Sequence, residues 1–86
     1  MLEVIVRMSI DRDTSSVVRN TIAPILGACG VQNDGTGEWR GRNAHPIAVA
    51  GQLSNVIDVL LNPNQINNAG MDVELDHLWI YIKRVN

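Results

Sequence analysis

Residues 73–85 read Val-Glu-Leu-Asp-His-Leu-Trp-Ile-Tyr-Ile-Lys-Arg-Val. Leu78, Ile80 and Ile82 alternate with Trp79, Tyr81 and Lys83, and successive side chains of a strand point to opposite faces of its sheet. The stretch therefore predicts a long β-strand with one aliphatic and one aromatic face. The chain has two Trp, one Tyr and no Phe, so this second face carries all but one of its aromatic residues. With the aliphatic row buried under helices, the aromatic row needs a different cover, and a partner molecule is the expected one.

The same period recurs at the other end. Leu2, Val4, Val6, Met8 and Ile10 alternate with Glu3, Ile5, Arg7 and Ser9, which predicts a first strand. From Asp13 the spacing becomes helical, with Val17, Val18, Thr21, Ile22, Ile25 and Leu26 on one stripe. Asp13, Thr14, Ser15 and Ser16 offer oxygens to the first amides, and Gly27 and Gly30 suit the exit. Pro24 is expected to kink or break this helix near Thr21 to Ala23, at roughly 3 kcal/mol. Asn33-Asp34-Gly35-Thr36-Gly37 is a turn signal ahead of a short strand, Glu38 to Arg42, so a hairpin is expected. Pro46 opens a second helix whose stripe of Val49, Leu53, Val56, Ile57, Leu60 and Leu61 runs to Asn62-Pro63. Asn64 to Gly70 reads as a surface loop. The order strand, helix, strand, strand, helix, strand predicts an α+β, ferredoxin-like βαββαβ fold, with two helices on one face of an antiparallel sheet. On the other face Ile5, Trp39, Trp79 and Tyr81 are expected to lie together.

With 86 residues, 45% of them hydrophobic and 19% charged, the chain is expected to form a single domain, 1–86, around one modest core. So small a core favours a homodimer. The formal charge of −2 disfavours affinity built on phosphate neutralisation. Arg7, Arg12, Arg19, Arg40, Arg42, Lys83 and Arg84 nevertheless leave room for a local basic patch. The single Cys29 excludes an internal disulfide and a multi-cysteine zinc site. It reads as a buried helix-end residue. No apolar run approaches the ~20 residues of a membrane span, and no leader pattern is present at the start, so the expected location is cytoplasmic.

Few residues suggest chemistry. Asp11 and Asp13 follow the first strand, where two carboxylates can hold a hard cation, although a helix cap is the simpler use. Asp72, Glu74 and Asp76 alternate with Val73 and Leu75, as on a charged edge strand. His45 reads as a helix-start residue and His77 as a strand side chain. No serine has the surroundings of an activated nucleophile. Trp39, Arg40 and Arg42, with Trp79 and Tyr81, are the candidate contact residues, because Trp, Tyr and Arg anchor protein interfaces.

An apolar first strand ending near acids, a helix closing in Gly30-Val31-Gln32, a second amphipathic helix and the strand Leu75-Asp76-His77-Leu78-Trp79-Ile80-Tyr81 resemble the ferredoxin-fold small nucleases of CRISPR adaptation. They are similar also to the virulence-associated D toxins and related mRNA-cleaving antitoxins. The resemblance covers most of the chain and is mainly one of topology. In those nucleases an aspartate ends the first strand; here that place falls on Met8 or, in a shifted register, on Asp11. The resemblance implies a dimer built through the sheet. It also implies, as an alternative function, a metal-dependent endoribonuclease with Asp11 and Asp13 holding magnesium. The primary expectation is a small regulatory or inhibitory module, antitoxin-like or phage-encoded, that needs no cofactor and acts through contacts with a protein partner.

Overall fold

The computed structural model describes residues 1–66 and 69–85. Its elements are β1 (Leu2–Asp11), α1 (Val17–Gly27), β2 (Val31–Asn33), β3 (Glu38–Asn43), α2 (Pro46–Leu61) and β4 (Glu74–Arg84), with short 3-10 turns at Thr14–Ser16 and Pro63–Gln65. The strands form one antiparallel sheet in the order β2-β3-β1-β4. Both helices pack on one face, so the fold is the expected α+β, ferredoxin-like one. The former loop expectation over Asn64 to Gly70 includes Asn67 and Asn68, which lie outside the described residues.

Alternation along β1 builds the core. Val4, Val6, Met8 and Ile10 are buried on the helix side and meet Val18, Ile22 and Leu26 of α1 and Val49, Leu53, Val56 and Leu60 of α2. Each of these helix sets recurs at three- or four-residue spacing, the spacing that keeps side chains on one helix face. The buried stripe of α2 is narrower than expected. Ile57 and Leu61 fall on its flank and are exposed.

Helix α1 does not break where a break was one expected outcome. Pro24 sits inside it without ending it. Both Pro24 and Asn20, whose carbonyl loses its helical donor, lie on the solvent side, so water can serve the orphaned acceptor. At the start of α1, Asp13 accepts from the Val18 and Arg19 amides at 2.9 and 3.1 Å, satisfying two first-turn donors. The link ahead of it is tight: Arg12, Ser15 and Ser16 all have positive φ. Arg12 is held there by its guanidinium, which donates to the Asp72 carbonyl at 2.7 Å and lies 3.3 Å from the Glu74 carboxylate.

Two features lock the hairpin side. Asn43 donates to the Cys29 carbonyl at 2.9 Å and accepts from the His45 amide, joining the exit of α1 to the entry of α2. Gly41 pairs with Val31, and a Cβ on Gly41 would collide with the Gly30 carbonyl. Cys29 lies fully buried beside this contact. Desolvation pushes its thiol above the ordinary range, against the smaller opposing pull of backbone hydrogen bonds, so it is a core side chain.

Paired glycine substitutions test this packing. Gly41→Ala should cost about 1–3 kcal/mol by forcing β2 away from β3. Gly51→Ala, on the exposed side of α2 with nothing within 4 Å, should stabilise by roughly 0.5–1 kcal/mol. Urea unfolding followed by circular dichroism measures both.

Candidate functional site

Among the described residues, no element covers the face of the sheet away from the helices. Strand register sets its contents row by row: Arg42, Glu3 and Lys83; Arg40, Ile5 and Tyr81; Glu38, Arg7 and Trp79; then Ser9 beside His77. Directly opposed residues of antiparallel strands share a face, so each row is a line of neighbouring side chains. Gln32 extends the Arg40 row onto β2.

Trp79 and Tyr81 stack with ring centroids 5.7 Å apart and planes 9° from parallel. The Arg7 guanidinium lies 5.1 Å from the Trp79 ring centroid and donates to Glu38 at 2.7 Å. One cation is thus held between an aromatic face and a carboxylate. Ile5, between Arg40 and Tyr81, is only 8% exposed yet stands apart from the helix-side core. Two adjoining aromatics with a shielded Ile5 make an apolar centre, although Trp79 and Tyr81 themselves remain 44% and 38% exposed.

The rim is ionic. Arg42 approaches Glu3 at 3.6 Å, and Arg40 approaches Asp34 at 3.2 Å. Exposed pairs of this kind contribute about 0–1 kcal/mol each, so an incoming carboxylate can replace an internal one at small cost. Across these rows Arg7, Arg40, Arg42 and Lys83 outnumber Glu3 and Glu38, which makes the face locally basic on a chain of formal charge −2.

Trp39 does not belong to this face. It pairs with Val6 and is 3% exposed within the helix-side core, whereas Arg40 and Arg42 are exposed on the open side. The expected grouping of Trp39 with the two arginines is therefore corrected: alternation along β3 sends Glu38, Arg40 and Arg42 outward and Trp39 inward. Its indole Nε1 is buried without a hydrogen-bond partner among the protein's atoms, as is Nε of Arg19. Arg19 lines a shallow depression of ≈ 460 Å³ with Arg7, Ser9, Thr36, Glu38 and His77, where the open face meets the hairpin turn. His77 is an exposed strand side chain 3.1 Å from Asp76, and His45 precedes α2.

The acids read as a possible magnesium pair, Asp11 and Asp13, have different surroundings. Both carboxylate oxygens of Asp13 accept backbone amides at the start of α1. Asp11 ends β1 in an exposed position. No cluster of three or more His, Cys, Asp or Glu side chains suited to a metal occurs among the described residues. Among the same residues no helix is long and apolar enough to cross a membrane. Asp72 and Glu74 serve Arg12 rather than an ion.

Comparison with protein-family models, curated proteins and solved structures finds no match to this chain.

The unequal environments of the two tryptophans are measurable. Iodide should quench the Trp79 emission while leaving Trp39 protected, so Trp79→Phe should remove the quenchable fraction and leave a blue-shifted spectrum. Steady-state fluorescence of the two proteins checks this.

Proposed function

We propose that the chain is a small regulatory or inhibitory module that binds a protein through the open face of its sheet. The observation that carries this reading is the stacked Trp79–Tyr81 pair, half exposed and flanked by Arg7 and Arg40 on a surface that no element of the fold covers. Trp, Tyr and Arg are the residues whose truncation most often weakens a protein interface. The apolar centre supplies burial, and the basic rim favours a partner that is acidic around an apolar contact. Arg7, Arg40 and Arg42 each already have an acidic neighbour, which argues for exchange with carboxylates over accumulation of phosphates. Antitoxin-like or defence-inhibiting roles both fit a module of this size and surface.

Affinity capture from an extract of the source cell tests the proposal. The immobilised chain should retain a protein after ribonuclease and deoxyribonuclease treatment, and the Trp79→Ala/Tyr81→Ala variant should retain at least about tenfold less, the loss of about 1.4 kcal/mol expected of one hot-spot side chain. Circular dichroism of that variant should remain that of the parent. Retention indifferent to both substitutions, or material consisting only of nucleic acid, overturns it.

A further inference from the structure

The two edges of the sheet are not equivalent. Edge strand β2 has 3 residues, whereas edge strand β4 has 11. A strand bonded on one side leaves every second N–H and C=O pointing away from its neighbour, and a long exposed edge of that kind templates the addition of another strand. β4 carries protective charges only at its two ends, Glu74 and Asp76 at the start and Lys83 and Arg84 at the finish. It contains no proline, and its one irregularity is a register shift opposite Ser9 and Ile10, which leaves Asp76 without a partner on β1. From Leu78 to Ile82 the edge is uncharged, and Trp79, Tyr81 and Ile82 are exposed along it.

We infer that the occupant of this edge is a second copy of the chain, joined β4 to β4 in antiparallel fashion about a twofold axis at Ile80. The register follows from self-complementarity. With Ile80 opposite its own mate, Leu78 faces Ile82, Trp79 faces Tyr81, His77 faces Lys83 and Asp76 faces Arg84, each pair formed twice by symmetry. Aliphatic meets aliphatic on the helix side, aromatic meets aromatic on the open side, and the acidic beginning of each strand meets the basic end of the other. A shift of the axis to Trp79 sets Leu75 against Lys83, and a shift to Tyr81 sets Trp79 against Lys83, so neither neighbouring register keeps the match. A one-residue slip would place aromatic rows opposite aliphatic ones.

The pairing also ends by itself. Each copy has one long edge and uses it, and the remaining β2 edges are too short to continue the sheet. The product is a closed dimer with one continuous eight-stranded sheet, not a filament. It does not depend on the proposed use of the open face, and it lengthens that face by placing the two aromatic pairs side by side.

Analytical ultracentrifugation of the intact chain tests the inference. Wild type should sediment at twice the 9.4 kDa chain mass at micromolar concentration. Arg84→Asp and Asp76→Arg, both at exposed positions, should each weaken the dimer about tenfold or more by setting like charges opposite one another at two symmetric places. The double variant D76R/R84D should recover most of the wild-type affinity. A nitroxide at Lys83 should report a pair of labels whose Cα atoms are about 20 Å apart, six residues of offset along opposed strands. A monomer at every concentration tested overturns the inference, as does a dimer indifferent to the single substitutions, a double variant without recovery, or a label separation incompatible with this register. Neither Asp76 nor Arg84 belongs to the Trp79–Tyr81 cluster, so failure here and failure of face docking are distinguishable.

Discussion

Everything in this fold depends on the alternation of β1 between two antiparallel neighbours. One strand is bonded to β3 and β4 at once, so its odd and even residues define the two faces for the whole sheet. Val4, Val6, Met8 and Ile10 place the core; Glu3, Ile5, Arg7 and Ser9 place the surface opposite. Because directly opposed residues share a face, the positions of Trp39, Trp79 and Tyr81 are settled by β1 before any of them makes a contact.

Size then leaves an imbalance. Two helices of 11 and 16 residues cover one face of the four-stranded sheet, and among the described residues no element lies on the other. The uncovered side is stabilised locally: arginines fold onto acids and onto indole, and Ile5 is shielded between Arg40 and Tyr81. Exposed contacts of this kind contribute little individually. The edges carry the same imbalance, with β2 blunted by its length and β4 left long.

The elements were legible in the sequence because periodicity and turn chemistry are local. The first and last strands, the hairpin at Asn33 to Gly37, the second helix after Pro46 and the open placement of Trp79 and Tyr81 all follow from spacing alone. The burial of Trp39 obeys the same rule: in Glu38-Trp39-Arg40-Gly41-Arg42 the three charged residues share one parity, and a tryptophan of the other parity belongs with the core. Alternation decides its side of the sheet, whatever the preference of Trp and Arg for interfaces. The cost of Pro24 is not local in this sense, since it depends on whether the abandoned carbonyl meets water or packed side chains.

The amino-acid sequence on its own determines the periods, the breaks between them and hence the fold class, because each depends on residues within a few positions of one another. Tertiary structure alone decides which residues meet across the sheet. It places Arg7 between Glu38 and Trp79, commits Asp13 to the amides of α1, and leaves β4 rather than β2 as the long free edge. Those outcomes rest on strand order and register, which join positions some 30 to 80 residues apart and follow from the simultaneous burial of one face of every strand.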